Sequence, residues 1–290
     1  MQTFILRTFL RPLLILIAKL PLSLVQGLGA FLGILAYLGS GQYRQLFRDH
    51  YLSMCTNQRV KPRLIKAMMA SGMLFSDSLW IWRNPAKAIQ KTEIQHWAEV
   101  EKAVQEGKGL VMLTPHLGGF EIIPRILAKH FQATIMYRPA RQEWLNTIIE
   151  GQRSYPNMHF VPATIQGVRT MVRALHQGEA VGILPDQVPS GGDGLWTPFF
   201  NRPAYTTTLA AKLASRNQSP VIMFSAKRKG LGQGWIFDAM PLAPFSEDPI
   251  KAAQELNQAL ETTIMKAPEQ FIWAYNRYKH PSGAELPPSN

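Results

Sequence analysis

From about residue 108 onward, short apolar runs alternate with segments of helical periodicity. The run GLVMLTPH, which ends at His116, is the most apolar, and continuous runs of this kind are typical of strands buried on both faces. Further strands are predicted at Thr134–Tyr137, His159–Val161, Ala180–Leu184, Pro220–Ala226 and Trp235–Ala239. Helices are predicted at 61–83, from about Ile94 to Glu106, in GFEIIPRILAKH (119–130), and at Gln142–Gly151, Gln166–Gln177, Tyr205–Arg216 and Ile250–Lys266. The alternation predicts an α/β fold: a mixed, largely parallel sheet flanked by helices.

The amino-terminal segment has a different character. Leu20–Tyr43 contains no charged side chain, and about 20 apolar residues are enough to cross a bilayer. Pro21, Gln26 and several glycines weaken the pattern, so a spanning helix and a helix lying in the membrane interface both fit, with a buried core helix as a third alternative. Gly29 and Gly33 have the spacing that permits close helix contact. We predict a membrane-anchoring helix within residues 1–43 and one α/β domain over residues 44–290.

The charge distribution favours a membrane surface. Charged residues make up 17% of the chain, below the roughly 25% of soluble domains. Met1–Lys66 contains nine Lys or Arg residues against one acid, Asp49, out of a net charge of +12. Cations beside apolar sequence suit an anionic bilayer. Nucleic acid is not expected as a partner, because no nucleic-acid-binding motif accompanies the charge.

Metal and cysteine chemistry are not expected. The single Cys55 excludes an intramolecular disulfide and a multi-cysteine metal site. The histidines outside His116 show no clustered spacing of a metal site. We therefore predict no metal and no cofactor.

His116 and Glu121 form an HxxxxE pattern where the most apolar strand gives way to a helix. On one continuous helix, five residues would turn the two side chains about 140° apart. They can meet if His116 precedes the helix and Glu121 lies in its first turn, which Gly118 and Gly119 permit. Neutral His116 would then act as a general base toward a hydroxyl, with Glu121 holding the imidazole in one tautomer. The pattern alone is also compatible with a structural histidine.

Several motifs together resemble the late acyltransferases of lipid A biosynthesis, which belong to the wider group of acyltransferases with a His-four-residues-acid motif. The resemblance extends from the amino terminus to about residue 281. It is carried by LTPHLGGFE (113–121), Tyr137-Arg138-Pro139, LPDQVPSGGDGLWTPFF (184–200), Ala204–Thr207 and PEQFIWAYNRYKHP (268–281).

The resemblance implies an O-acyltransferase at the cytoplasmic face of a bacterial inner membrane. It would take an acyl chain from acyl carrier protein and esterify a hydroxyacyl group of a Kdo-bearing lipid A precursor. The net positive charge suits both the acidic carrier and the anionic acceptor. The sequence departs from the family at Gln152 and at Tyr275-Asn276, which obscures the residues that bind phosphate. A lysophospholipid or other glycolipid acceptor, and a catalytically silent membrane-binding scaffold, remain alternatives.

Three further residues are candidates for substrate binding. Arg138 follows the predicted strand TIMY, where it could bind an acceptor phosphate or a developing oxyanion, or lie on the surface. Asp186 follows the strand AVGIL and could position a substrate group or, alternatively, order its loop through backbone hydrogen bonds. Arg153 could face either solvent or the acceptor head group. Acyl-chain length, the acylated position and the oligomeric state are not predicted.

Overall fold

The computed structural model describes residues 16–139, 156–190 and 192–287. The helices are α1 (Leu22–Gly39), α2 (Gly41–Asn57), α3 (Leu64–Arg83), α4 (Pro85–Gln90), α5 (Trp97–Gln105), α6 (Ile122–Leu127), α7 (Ile165–His176), α8 (Leu209–Asn217) and α9 (Pro249–Met265). The strands are β1 (Thr92–Gln95), β2 (Leu110–Leu113), β3 (Ala133–Tyr137), β4 (Met158–Pro162), β5 (Ala180–Ile183), β6 (Gly194–Phe199), β7 (Arg202–Thr207), β8 (Val221–Arg228) and β9 (Trp235–Leu242). A 3-10 turn, Pro268–Gln270, follows α9.

Seven of the described strands form one sheet in the order β1-β9-β8-β2-β5-β3-β4. Neighbouring strands are parallel except β8 and β9, which are antiparallel. In β2, Val111 and Leu113 pack into one apolar core, whereas Leu110 and Met112 pack into a second. Because successive side chains of a strand point to opposite faces, the two cores lie on the two sides of the sheet. The predicted mixed, largely parallel sheet flanked by helices is confirmed.

The structure adds three strands that the sequence pattern does not predict. The first, β1, occupies Thr92–Gln95 at the edge of the sheet, so the helix predicted from about Ile94 begins instead at Trp97. An edge strand with the sequence TEIQ has no continuous apolar run to reveal it. The predicted helix Gln142–Gly151 lies outside the described residues.

The other two, β6 and β7, form a separate antiparallel hairpin. Its turn residues Phe200 and Asn201 have φ of 47° and 60°, the left-handed conformation that two-residue hairpin turns require. Because β7 extends to Thr207, the helix predicted from Tyr205 begins at Leu209, whose backbone N–H donates to the Thr207 hydroxyl.

The amino-terminal helix α1 packs against α3. Among the described residues it is the one helix long and apolar enough to cross a membrane. Gly29 and Gly33 face Gly72 of α3, and a Cβ atom at Gly33 would lie 2.8 Å from the backbone nitrogen of Gly72. The glycines therefore bring the two helix backbones into direct contact, as their spacing indicates.

Candidate active site

Two neighbouring parallel strands deliver the central residues of the site. Leu113, the last residue of β2, pairs with Ile183, the last residue of β5. His116 follows Leu113 by three residues, and Asp186 follows Ile183 by the same number. The carboxyl ends of parallel strands meet at one edge of the sheet, where ligand sites of α/β folds lie. Equal offsets on adjacent strands therefore bring these two side chains together.

The carboxylate of Asp186 holds His116 through both its backbone and its side chain. Oδ2 accepts from the His116 backbone N–H at 2.8 Å, and Oδ1 lies 2.9 Å from Nδ1 of the imidazole. Asp186 is 1% exposed, whereas the His116 side chain is 18% exposed. The carboxylate thus lies behind the ring. With Nδ1 held by Asp186, Nε2 is the nitrogen that can accept a proton from a substrate.

The loop after His116 is shaped by close packing on the sheet. Gly118 has a φ of 56°, a conformation that favours glycine. Its backbone N–H donates to the carbonyl of Gln270, and that of Gly119 donates to the carbonyl of Ala226. These bonds fix the turn between β2 and α6. Glu121 is the residue immediately before α6, so the predicted strand–loop–helix arrangement is present.

Glu121 belongs to the same site through a different partner. Its Oε2 accepts a hydrogen bond from Nε1 of Trp82, on α3, at 3.0 Å. Glu121 is 8% exposed and lines the same cavity as His116. The described hydrogen bonds of the His116 imidazole run to Asp186. Asp186 therefore makes the contact with the imidazole that the sequence pattern assigns to Glu121.

Arg138 directly follows β3, the other neighbour of β5, and is exposed at the same edge of the sheet. Its Nη1 donates to the carbonyl of Val188 at 3.4 Å, and the Val188 backbone N–H donates to the Tyr275 hydroxyl at 2.9 Å. Burial raises the pKa of Tyr275, so the phenol stays protonated. Arg138 and Tyr275 thereby fix the loop that follows Asp186. Arg153 lies outside the described residues.

Arg277, in the carboxy-terminal motif, is buried in the interior. It donates to the carbonyl of Tyr205, the hydroxyl of Thr206 and the side-chain oxygen of Asn257. Burial lowers the pKa of Arg277 to about 10. The side chain ties the tail to the β6–β7 hairpin and α9, and at 2% exposure it is withdrawn from any anionic substrate.

A cavity of about 1270 Å³ opens beside His116. It exceeds the roughly 300–1,000 Å³ of common small-molecule sites. Its wall is mostly apolar and includes Leu28, Leu32, Phe75, Met112, Ile135 and Ile165. His116, Glu121 and Arg138 also line it, as does Lys212. A long apolar group can therefore lie next to the imidazole.

Sequence reasoning missed two relationships in this site. Trp82 lies within the predicted helix 61–83, and nothing in its local sequence indicates a bond to Glu121. The pairing of Asp186 with His116 did have a signal. Both residues follow an apolar strand through a proline, in Thr-Pro-His and Leu-Pro-Asp, so each stands just beyond a strand end.

The chain is similar to known proteins over nearly its whole length. A family model described as bacterial lipid A biosynthesis acyltransferase matches residues 4–280. A lipid A biosynthesis lauroyltransferase of Escherichia coli (strain K12) is 25% identical over 272 residues, which cover 91% of this chain and 88% of that protein. A lipid A biosynthesis acyltransferase of Haemophilus influenzae (strain ATCC 51907 / DSM 11121 / KW20 / Rd) is 27% identical, covering 90% and 83% respectively.

A third relative, a lipid A biosynthesis palmitoleoyltransferase of Escherichia coli (strain K12), is 24% identical over 216 residues, covering 73% of this chain and 68% of that protein. The two Escherichia coli relatives are named for different acyl groups, so similarity to them does not define a chain length. The family model, in contrast, covers nearly the whole sequence and includes every described residue of the site. The chain belongs to the bacterial lipid A biosynthesis acyltransferase family.

Proposed function

We propose that this protein transfers a fatty acyl chain from acyl carrier protein to a hydroxyl of a hydroxyacyl group on a Kdo-bearing lipid A precursor, at the cytoplasmic face of the inner membrane. One observation carries the proposal: a histidine held by a buried carboxylate, His116 with Asp186, lines a large apolar cavity in a chain of this family. The cavity suits the acyl chain, and the imidazole suits activation of the hydroxyl.

The reaction follows from the orientation of the imidazole. Nε2 of neutral His116 accepts the proton of the acceptor hydroxyl while that oxygen attacks the thioester carbonyl carbon. A carbon–oxygen bond forms, the carbon–sulfur bond breaks, and the proton passes from the imidazolium to the departing thiolate. Asp186 acts as a positioning residue: it keeps the Nδ1–H tautomer and stabilises the imidazolium. The step needs no covalent acyl-enzyme.

Glu121 contributes a second negative charge to the site. Trp82 holds its carboxylate at the cavity wall, and Glu121 lies at the amino-terminal end of α6, where a helix favours an anion. We assign it to electrostatic stabilisation of the His116 imidazolium and to placing the acceptor. In this assignment Glu121 remains a catalytic residue, whereas Asp186 makes the direct contact with Nδ1 of His116.

The acceptor and the donor are both anionic, and the site offers cations to each. Arg138 and Lys212 line the cavity together with His116, where they can bind phosphate or carboxylate groups of the acceptor. Arg153 is a further candidate for the same role. Acyl carrier proteins are acidic, so the net charge of +12 favours their approach.

The test is a defined transfer assay. Membranes containing the protein are incubated with the Kdo-bearing precursor and with acyl carrier proteins that carry chains of several lengths, and mass spectrometry follows the lipid. We expect a gain of one acyl mass, lost in His116→Ala and retained in His176→Ala, which alters an exposed histidine at the end of α7. Transfer to a lysophospholipid but not to the precursor would refute the proposal that the lipid A precursor is the acceptor. Full activity in His116→Ala would refute the mechanism.

A further inference from the structure

The apolar helix α1 is built into the catalytic domain along its whole length. At its start, Leu22 and Val25 pack into the core that contains Phe237 of the sheet. At its end, Tyr37 packs into the other core, against Phe47 of α2 at a ring distance of 5.9 Å. A helix of 18 residues is about 27 Å long. The two ends of α1 are therefore about this far apart, and both contact the same domain.

Polar contacts fix the middle of the helix as well. Gln26 is fully buried: its side-chain amide donates to Asp77 of α3 at 2.8 Å, and its oxygen accepts from the backbone N–H of Gly232 at 2.7 Å. The same carboxylate of Asp77 accepts from Arg228 of β8 at 2.7 Å. A polar turn and a buried charged pair thus lie directly beside α1, so this side of the helix faces polar groups of the protein and not hydrocarbon.

These contacts exclude a spanning orientation of α1. A helix that crosses the bilayer places its ends on opposite sides, whereas both ends of α1 pack on one α/β domain that includes charged interior groups. Its length and hydropathy permit crossing, but its packing does not. The helix therefore lies along the domain surface.

The outward face of α1 forms an apolar ridge. The ridge residues are 37–68% exposed and entirely apolar: Leu24, Leu28, Phe31, Leu32, Leu35 and Leu38 of α1, preceded by Leu20 and continued by Phe75 of α3. They recur at helical spacing opposite the buried glycines. So many exposed large apolar side chains on one face indicate an interaction surface.

The charged residues near the ridge indicate what kind of surface it contacts. Helices α1 and α3 run antiparallel, since Gln26 contacts Asp77 whereas Gly33 contacts Met68. Exposed Lys19 and Arg83 lie at one end of this helix pair and Lys66 at the other. From Leu16 to Lys66 the sequence has one acid, Asp49, and it pairs with Arg202 at 2.9 Å. Cations at both ends of an apolar ridge match an anionic bilayer surface.

The cavity opens onto this same ridge. Leu28, Leu32 and Phe75 belong to both the ridge and the cavity wall, and Ile165, 76% exposed, lines the cavity as well. We propose that α1 and α3 lie flat in one anionic leaflet and that the cavity mouth at Leu32 and Phe75 admits lipid chains from that leaflet without passage through water. The lipid route rests on the proposed function; the flat orientation does not.

The orientation is tested by labelling from each side of the membrane. In a Cys55→Ala background, single cysteines replace Lys19 and Ser40, exposed residues just before and just after α1. Inverted inner-membrane vesicles and intact spheroplasts of a bacterium expressing the full chain are treated with a membrane-impermeant maleimide. We expect both sites to react from the same face. Reaction of the two sites from opposite faces would overturn the proposal, whatever the enzymatic activity.

The ridge is tested by vesicle binding. Phe31→Ser with Leu35→Ser removes apolar groups from the ridge without touching the cavity, and Ile250→Ser on α9 is the matched control, since Ile250 is 57% exposed. We expect the double variant to bind phosphatidylglycerol-containing vesicles at least about tenfold more weakly, with the control unchanged. Equal binding of the unmodified protein, the double variant and the control would show that the ridge does not contribute to membrane binding.

A second experiment tests the lipid route. With vesicle-borne acceptor, the double variant should lose activity that it keeps in detergent micelles. Equal loss in both media would refute the lipid route alone.

Discussion

The carboxylate of Asp186 bonds to both the backbone N–H and the Nδ1 of His116, at 2.8 Å and 2.9 Å. This double contact links the ends of two adjacent strands, β2 and β5. One buried group thus fixes both the position of the His116 main chain and the orientation of its ring. The HxxxxE pattern therefore describes part of the site, and a residue 70 positions away completes it.

Asp186→Asn should retain the shape of the site but lose the charge behind the imidazole. We expect the turnover rate to fall on the order of 100-fold or more, as for an impaired general base. A purely structural role would lower the amount of folded enzyme without lowering the turnover rate of the enzyme that is folded. An unchanged turnover rate in Asp186→Asn would remove Asp186 from the mechanism.

Trp82 and Glu121 should behave as a coupled pair. Trp82→Phe preserves an aromatic cavity wall and deletes the donor, and a hydrogen bond to a charged group contributes about 1.5–3 kcal/mol. We expect a loss of activity of about tenfold or more in Trp82→Phe and a larger loss in Glu121→Gln. In the double variant the loss should match that of Glu121→Gln alone. Fully additive losses would show that the indole acts independently of this carboxylate.

The order of the main elements and the position of His116 just beyond a buried strand could be predicted from the sequence, because a sheet covered on both faces leaves continuous apolar runs such as Leu110–Leu113. The edge strand β1 left no such run, since one side of an edge strand lacks a partner. The partner of His116 depended on which strands are neighbours, and strand order is set by packing of the whole sheet. Local spacing therefore favoured Glu121.

The position of α1 also could not be predicted from the local sequence. Its composition predicted a membrane-anchoring helix, either spanning or interfacial, with a buried helix as an alternative, and the choice depends on Gln26 meeting Asp77 and Gly232. The first of these contacts joins residues 51 positions apart, and the second joins residues 206 apart. The glycine spacing did predict a close helix contact, but not that the partner would be Gly72 of the same chain.

The contact between α1 and α3 gives a matched pair of alanine substitutions. A Cβ atom at Gly33 would meet the backbone of Met68 and Gly72, whereas one at Gly27 would have nothing within 4 Å. We expect Gly33→Ala to lower the free energy of unfolding by about 1–3 kcal/mol. Gly27→Ala should raise it by up to about 1 kcal/mol, since alanine favours helix. Thermal unfolding in detergent measures both, and equal shifts of the two variants would contradict the described packing.

His50 should make stability depend on pH. Burial lowers the pKa of His50 below its ordinary value of 6.5, although the hydrogen bond from Nδ1 to the Trp273 carbonyl, at 2.9 Å, and Asp49 oppose the shift. Above pH 6.5 the imidazole is neutral in the folded and unfolded chains, and its contribution to stability is complete. As the pH falls below that value, the unfolded chain binds the proton first, so the folded state loses stability until His50 also titrates.

His50→Asn tests this account, because an asparagine amide can donate to the Trp273 carbonyl and does not titrate. Between pH 7.5 and 5.5, one such group changes stability by at most about 1.4 kcal/mol per pH unit. We expect the variant to show a smaller drop in melting temperature over this range than the unmodified protein. His176→Asn, at an exposed histidine, should keep the original pH dependence. If His50→Asn loses as much stability on acidification as the unmodified protein, a different group causes the dependence.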